Sequence, residues 1–105
     1  MERYQAKFQI GQIIRHRLFE YTGVIYDADP TYQGTGEWYD LVALSRPPKN
    51  EPWYRVLVHN AFHTTYVAEK NLDVNDQPVV IKHPLIDDLF SGFDGEYYHL
   101  RQKAD

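Results

Sequence analysis

Two histidines offer the first candidate chemistry in this sequence. His59 and His63 stand four residues apart in the stretch PWYRVLVHNAFHTTYVAE, and on a helix this spacing would place two metal ligands on one side. The flanking residues alternate with a period of two instead, which predicts the strands Trp53 to Val58 and Thr64 to Ala68, joined by a turn. Zinc would need a third ligand that this hairpin does not supply. We therefore predict no metal and no cofactor at the pair.

Two acidic pairs come next, since paired carboxylates can bind magnesium or perform acid–base catalysis. Asp27 and Asp29 stand two residues apart before a proline, which is more typical of a strand that ends in Asx-turn hydrogen bonds. Asp87 and Asp88 are adjacent, so on a helix they point in different directions, and acids in a first turn complement the helix dipole. We interpret both pairs as structural.

The sequence offers no activated nucleophile. There is no cysteine, which excludes disulfides, thiolate nucleophiles and cysteine-based metal sites. The two serines, Ser45 and Ser91, have no G-x-S-x-G setting, and the glycines of GTGE lack the spacing of a phosphate or dinucleotide loop. We predict that the protein is not an enzyme.

The composition predicts one domain over residues 1–105 that folds around a single core. Hydrophobic residues make up 43% and charged residues 25% of the chain, as in folded globular proteins. Nine Tyr, five Phe and two Trp in so short a chain favour pleated sheets and binding faces. No apolar run approaches the roughly 20 residues that span a bilayer. We expect a cytoplasmic protein without membrane contact.

The net charge bears on nucleic-acid binding. A net charge of −4 repels a phosphate backbone, so such binding would need a local basic patch. The densest patch is IIRHRLF, in which Arg15, His16 and Arg17 are consecutive. The alternative interpretation is that a charged strand near a sheet edge prevents aggregation.

Hydrophobic periodicity indicates the elements. Strands are predicted over Phe8 to His16 and Tyr21 to Pro30, paired as a hairpin, with a further β-like run over Val79 to Ile81. The segment LIDDLF has helical spacing, and Gly92 follows it as a stop signal. Residues 31–38 and 45–52 are predicted loops, whereas residues 39–44 fit either a short strand or a helical turn.

The aromatic residues divide into core and undecided positions. Alternation places Tyr54, Val56 and Val58 on the face of the first arm that we predict to be core. We also assign Trp53 to the core. Three rings beside the glycine-rich loop fit either a packed core or a stacking surface for a partner: Tyr32, Trp38 and Tyr39.

Five sequence blocks, in this order, resemble the YccV-like or hemimethylated-DNA-binding family, which includes the bacterial heat-shock protein HspQ. They are IGQIIRH, YTGVIYDADP, EPWYRVLV, TTYVAEKNL and IKHP, and the resemblance runs from about Phe8 to Arg101. It implies a small non-catalytic β-barrel. Together with the strand pattern, it predicts a mainly β fold: a partly open, SH3-like barrel of about five to six strands with one short helix near the C-terminus.

The resemblance implies either binding to hemimethylated DNA or a role in protein quality control, where HspQ-like proteins act with ATP-dependent proteases. Two features depart from the HspQ pattern. Arg55 stands where relatives often have His, and the tail HPLIDDLFSGFDGEYYHL resembles the longer family version, including domains fused to F-box proteins. These departures favour a shared barrel with a different partner.

Two functional hypotheses follow. The first is a protein-interaction module in stress response and regulated proteolysis, whose partner is an ATP-dependent protease or its clients. Aromatic anchors dominate protein interfaces, so Tyr32 and Trp38 are its candidate contacts, with Arg55 and His63 as outward contacts.

The second hypothesis is recognition of hemimethylated duplex DNA. Its candidate phosphate contacts are Arg15, His16, Arg17 and Lys82. Under either hypothesis, an open barrel edge beside exposed aromatic rings would allow a homo-oligomer, although the sequence carries no symmetry information.

Overall fold

The computed structural model describes residues 6–77 and 79–101. The prediction of a mainly β protein with a short helix near the C-terminus is confirmed, and these residues contain seven strands against the five to six expected. No helix in the described part of the chain is long and apolar enough to cross a membrane. The elements in chain order are β1 (Ile13–His16), β2 (Thr22–Asp29), α1 (Gly36–Val42), β3 (Trp53–Val58), β4 (Thr64–Ala68), β5 (Leu72–Val74), α2 (Ile86–Leu89), β6 (Phe90–Phe93) and β7 (Tyr98–Leu100).

Five antiparallel strands form the main sheet, in the order β4-β3-β2-β1-β5. β3 and β4 make the predicted hairpin with the predicted bounds, and Trp53 lies opposite Ala68. β4 and β5 are the two edges of the sheet, joined by a 3-10 turn over Glu69–Asn71. The two edges do not pair with one another, so this sheet is not closed into a barrel.

Apolar side chains are buried on both faces of the sheet. The face predicted to be core is buried at Tyr54, Val56 and Val58. The opposite face is buried as well, because the segment that follows β5 covers it. One cluster contains Phe8, Ile14, Ile25, Tyr54, Val56, Val67 and Leu72, and the cluster on the other face contains Ile13, Val24, Leu57, Ile81, Phe90 and Tyr98.

β6 and β7 form a separate two-stranded sheet, which is attached to the main sheet at Gly11. The amide of Gly11 donates to the Ile25 carbonyl at 2.7 Å, and its own carbonyl accepts from the Tyr98 amide at 2.8 Å. Gly11 has a φ of +91°, and a Cβ there would overlap the carbonyl oxygen of Tyr98. A glycine is therefore required at this junction.

Helix α1 resolves the segment whose structure the sequence left open. Thr35 caps the helix, since its Oγ1 accepts a hydrogen bond from the Trp38 amide at 3.1 Å. Tyr39 and Ala43 are buried on one side of the helix, where they pack against Trp53. The prediction of a loop through Trp38 was wrong at residues 36–38, because capping and burial outweigh the low helix propensity of glycine.

Three other boundaries differ from the predictions. β1 begins at Ile13 and not at Phe8, because the turn at Gly11 precedes it. Residues 79–81 form no strand, and the Ile81 amide donates to the Tyr98 hydroxyl at 2.7 Å instead of to a neighbouring strand. Gly92 does not stop the helix, since β6 begins at Phe90 immediately after α2.

Candidate functional site

His59 and His63 flank the tip of the β3–β4 hairpin, and both form hydrogen bonds that hold the hairpin against the segment around Lys82 and His83. The Nδ1 atom of His59 accepts from the Lys82 amide at 2.9 Å. The carbonyl oxygen of His63 accepts from Nε2 of His83 at 2.9 Å, while the His63 ring is exposed. Within residues 6–77 and 79–101, no group of three or more potential ligands is arranged to hold a metal ion.

The basic segment, residues Arg15 to Arg17, has its charges paired within the fold. Nη2 of Arg15 lies 3.1 Å from Oε1 of Glu20, and Nε of Arg17 lies 3.5 Å from Oδ2 of Asp73. Between the arginines, the His16 side chain points inward and the residue is only 5% exposed. The three residues therefore do not form one continuous cationic surface.

Of the other two predicted cationic contacts, Arg55 is paired and Lys82 is not. The guanidinium of Arg55 lies 4.5 Å from the Tyr66 ring centroid and within 3.9 Å of carboxylate oxygens of Asp27 and Asp29. Lys82 is exposed, and no carboxylate of the described residues lies within ion-pair distance of it. Lys82 is thus the best-placed phosphate contact of the predicted set.

Four aromatic rings pack together where α1 meets β3 and β4: Tyr32, Trp38, Trp53 and Tyr66. All six distances between their ring centroids fall between 4.9 and 6.2 Å, so the rings fill the space between them and leave no cage for a ligand. Burial, together with a hydrogen bond that its hydroxyl donates to Asp29, raises the pKa of Tyr66 to about 12. The aromatic cluster is therefore a structural support for the groove that lies beside it.

A groove of about 460 Å³ lies beside the cluster and runs along β4. All five residues of β4 line it, and the two walls come from segments that are distant in sequence. The first wall is α1 with the two residues that follow it, and it contains Trp38, Val42 and Leu44. The second wall is the turn between β1 and β2, with Leu18, Phe19 and Tyr21.

The walls of the groove expose apolar side chains and almost no charge. Phe19 is 73% exposed and Leu44 is 79% exposed. Among the described residues that line the groove, Arg55 is the only Lys, Arg, Asp or Glu, and it is already paired with Asp27 and Asp29. Clustered apolar exposure around a neutral concave surface is typical of a binding site for an uncharged, apolar ligand.

His16 holds the second wall in place. Its Nδ1 atom accepts hydrogen bonds from the amides of Leu18 and Phe19, both at 3.1 Å, and its ring stacks on Phe19 at 4.7 Å. Burial lowers the pKa of His16 below its ordinary value. The neutral imidazole is required here, because a protonated Nδ1 could not accept these bonds.

The groove contains only part of the predicted site. It is lined by Trp38, Arg55 and His16 of the predicted contacts, whereas Tyr32 lies behind it in the aromatic cluster. The remaining predicted contacts do not line it: Arg15, Arg17, His63 and Lys82. Sequence reasoning missed Phe19 and Leu44, and the only signal for them was an apolar residue inside a predicted connection or next to a predicted loop.

An open antiparallel sheet with an apolar groove along one edge defines a small binding domain. The family model described as "Hemimethylated DNA-binding protein YccV like" matches residues 6–97. The chain therefore belongs to the YccV-like family, a family of binding domains, as the resemblance predicted.

Curated relatives carry the same domain in longer proteins. The chain is 36% identical to F-box only protein 21 of Homo sapiens and of Pongo abelii, and 34% identical to F-box only protein 21 of Mus musculus, over 93 residues in each comparison. The aligned region covers 87% of this chain and 15% of each relative. The chain thus corresponds to one part of these proteins.

Proposed function

We propose that this domain is a non-catalytic protein-interaction module in protein quality control, which binds polypeptides that are handled by ATP-dependent proteolysis or in the stress response. The observation that carries the proposal is the groove along β4, since it combines apolar walls with a nearly neutral lining. Aromatic and aliphatic anchors that enter such a groove supply most of the binding free energy in protein interfaces.

The charge distribution also supports a protein partner. A chain with net charge −4 repels nucleic acid at long range, and the two arginines of the basic segment already have carboxylate partners. The relatives named F-box only protein 21 carry the domain within a much longer chain, a setting that suits an interaction module.

Affinity capture with a matched pair of variants tests the proposal. Leu44 lines the groove and is 79% exposed, whereas Leu41 on α1 is 77% exposed and does not line it. Leu44→Glu and Leu41→Glu therefore place the same charge at equally exposed positions. We expect the unaltered domain and Leu41→Glu to retain a protease, chaperone or defined client from a lysate of the source organism, and Leu44→Glu to lose it.

Two results of this capture would overturn the proposal. The first is that no protease, chaperone or defined client is retained by the unaltered domain. The second is that Leu44→Glu and Leu41→Glu retain the same partners to the same extent, since the groove would then not be the contact. Mass spectrometry of the three eluates, normalised to the amount of folded bait, measures both.

The second candidate function is recognition of hemimethylated duplex DNA, which the description of the family model and the unpaired charge of Lys82 favour. Methyl recognition would need an apolar contact in the major groove, worth about 1 to 3 kcal/mol of discrimination. Fluorescence anisotropy with hemimethylated, fully methylated and unmethylated duplexes of one sequence, from about 50 to 200 mM salt, tests it.

Persistent preference for the hemimethylated duplex as salt rises would make DNA the ligand. The variant Lys82→Ala should then weaken binding to all three duplexes and reduce the salt dependence, as expected for a phosphate contact. Weak binding that is equal for all three duplexes and lost with salt would exclude this function and leave the groove as the site.

A further inference from the structure

We propose that the groove binds an extended, uncharged, apolar segment of an unfolded polypeptide by adding it to β4 as a further strand of the sheet. This inference rests on the proposed function and specifies its partner: a segment that a folded protein would bury. It also specifies the mode of recognition, which is main-chain hydrogen bonding along an open sheet edge.

The free main-chain groups of β4 follow from the register of the hairpin. The amide of Glu69 donates to the carbonyl of Pro52 at 3.0 Å, which makes Glu69 and Pro52 a hydrogen-bonded pair. Hydrogen-bonded and non-hydrogen-bonded pairs alternate in antiparallel strands. The amides and carbonyls of Thr65 and Val67 therefore face β3, and those of Thr64, Tyr66 and Ala68 face the open edge.

No other part of the described chain occupies this edge. Among the described residues, no hydrogen bond outside the strand pairing involves the main-chain amides of Thr64, Tyr66 and Ala68 or the carbonyls of Thr64 and Tyr66. The carbonyl of Ala68 instead begins the 3-10 turn over Glu69–Asn71. Thr64, Tyr66 and Ala68 all line the groove, so their free groups point into the space between its walls. Three donors and two acceptors, spaced as in a sheet, are thus free to bind an extended chain.

The two walls determine the side chains that such a strand would carry. Successive side chains of a strand point to opposite faces, so alternate ligand residues would contact the α1 wall and the remaining ones the β1–β2 turn. Because both walls expose mainly apolar side chains, each set of ligand residues would meet mainly apolar surface. The site therefore fits an uninterrupted apolar run of about five residues, or about 17 Å of extended chain.

Charge complementarity supports the same ligand. Within residues 6–77 and 79–101, the only Lys, Arg, Asp or Glu that lines the groove is Arg55, which is paired with Asp27 and Asp29. Burial also lowers the pKa of His16 in the second wall. A charged ligand residue would lose water in this groove without gaining an opposite charge. An uncharged apolar segment has no such cost, which distinguishes it from most surface loops of folded proteins.

A second copy of this chain is the alternative occupant that the geometry disfavours. In each copy, the free edge of β4 lies at the base of a groove, between the wall that contains Leu44 and the wall that contains Phe19. Two recessed edges cannot approach each other closely enough to pair unless both walls move apart. An isolated extended segment can enter without such movement.

The test uses a fluorescein-labelled peptide with the core IVFVI, flanked by Gly-Ser linkers and two C-terminal lysines for solubility. Thr64→Pro removes one amide that faces the groove, and Val74→Pro removes an outward amide on the opposite sheet edge. Proline is tolerated at such edge positions, because the lost N–H makes no bond within the sheet. We expect anisotropy to show binding weakened about tenfold by Thr64→Pro and unchanged by Val74→Pro.

Two further measurements leave the protein unaltered. Hydrogen exchange followed by NMR should show the amides of Thr64, Tyr66 and Ala68 slowed at least about tenfold by the peptide, while those of Thr65 and Val67 are already slow in the free domain. Methylation of every core amide of the peptide should abolish binding. Methylation of only those alternate amides that face away from β4 should preserve it, since an added strand pairs through one edge only.

The outcomes separate this inference from the proposed function. One outcome would overturn strand addition and still leave the groove as a protein-binding site. In this outcome Leu44→Glu weakens peptide binding, but the peptide does not protect the three amides and its full methylation has no effect. Absence of binding to the peptide would overturn the apolar-strand ligand, and the affinity capture with Leu44→Glu and Leu41→Glu would still decide the proposed function. Amides of Thr64, Tyr66 and Ala68 that are slow in the free domain and become faster on dilution would identify a second copy as the occupant.

Discussion

The groove along β4 and the basic segment Arg15 to Arg17 differ in how far the fold satisfies their side chains. The arginines of the basic segment are paired with Glu20 and Asp73. The walls of the groove, in contrast, leave large apolar side chains in water, with Phe19 at 73% exposure. Exposed apolar surface is unfavourable in water, whereas a paired surface charge is close to neutral in free energy. The groove is therefore the region that gains most from a partner.

In this domain, a residue's type is a weaker indicator of function than the interactions that the residue makes in the fold. Arg15, His16 and Arg17 are the most conspicuous charged run, yet His16 turns inward and holds the wall of the groove. The segment that suggested DNA contacts thus contributes to the apolar site. Four predictions test this contrast, beginning with the largest expected effect.

The largest effect is expected at Trp53, which supports the groove from beneath. Trp53 is 1% exposed and contacts the rings of Tyr32, Trp38 and Tyr66. Trp53→Ala should lower the free energy of unfolding by about 3 to 5 kcal/mol through the cavity that it creates. Urea denaturation followed by circular dichroism measures the change. A loss below about 1 kcal/mol would show that the aromatic cluster is not structural.

The next effect concerns ligand binding and uses a matched pair of phenylalanines. Phe19 lines the groove and is 73% exposed, whereas Phe62 at the hairpin tip is 89% exposed and does not line it. Phe19→Ser should weaken binding of the apolar peptide about tenfold, or about 1.4 kcal/mol, and Phe62→Ser should leave it unchanged. If the two substitutions weaken binding equally in the anisotropy assay, the peptide binds to exposed apolar surface in general and not to the groove.

A smaller effect is expected from the protonation of His16. Burial lowers the pKa of His16 in the folded state, so near its ordinary value of 6.5 the unfolded chain binds the proton more readily. The free energy of unfolding should therefore fall as the pH drops below about 6.5. In His16→Asn, whose side-chain oxygen can still accept from the turn, this fall should be smaller. Urea denaturation of both proteins between about pH 5 and 7.5 measures the difference. If the free energy of unfolding depends on pH in the same way in both proteins, protonation of His16 does not destabilise the turn.

The smallest effect is expected at the basic segment. Each arginine forms an exposed ion pair. The double variant that carries Arg15→Ala and Arg17→Ala should therefore change the free energy of unfolding by no more than about 1 kcal/mol for each pair lost. Binding of the apolar peptide should not change. If the double variant instead lowers the affinity for hemimethylated DNA and flattens its salt dependence, the basic segment is a DNA contact, and the contrast with the groove fails.

The sequence predicted those elements whose pattern is local. The hairpin of β3 and β4 was predicted with its bounds, because its alternation and its turn lie within one stretch, and Trp53 was correctly assigned to the core. β5 was not predicted, since three residues between polar neighbours carry too little periodicity. α1 was undecided over residues 39–42 and wrongly predicted as a loop over residues 36–38, because so short a segment that begins with glycine has no clear period.

The groove could not be predicted, because it depends on contacts between distant segments. Its base is β4, its walls hold Phe19 and Leu44, and these three parts lie in separate regions of the sequence. The pairing of Arg17 with Asp73 is equally non-local. Trp38 was recognised as a candidate contact from its type, but neither the wall that it forms nor the edge that it faces is encoded in a short window.

The most direct test of the account maps both ligands on one sample. Two-dimensional NMR of the nitrogen-15-labelled domain, titrated separately with the apolar IVFVI peptide and with a hemimethylated duplex at one salt concentration, reports where each ligand binds. We predict that the peptide shifts the amide signals of Phe19, Leu44 and Tyr66 in a saturable manner, and that the duplex shifts them little. Saturable shifts from the duplex at Arg15, Arg17 and Lys82, without any from the peptide in the groove, would contradict it.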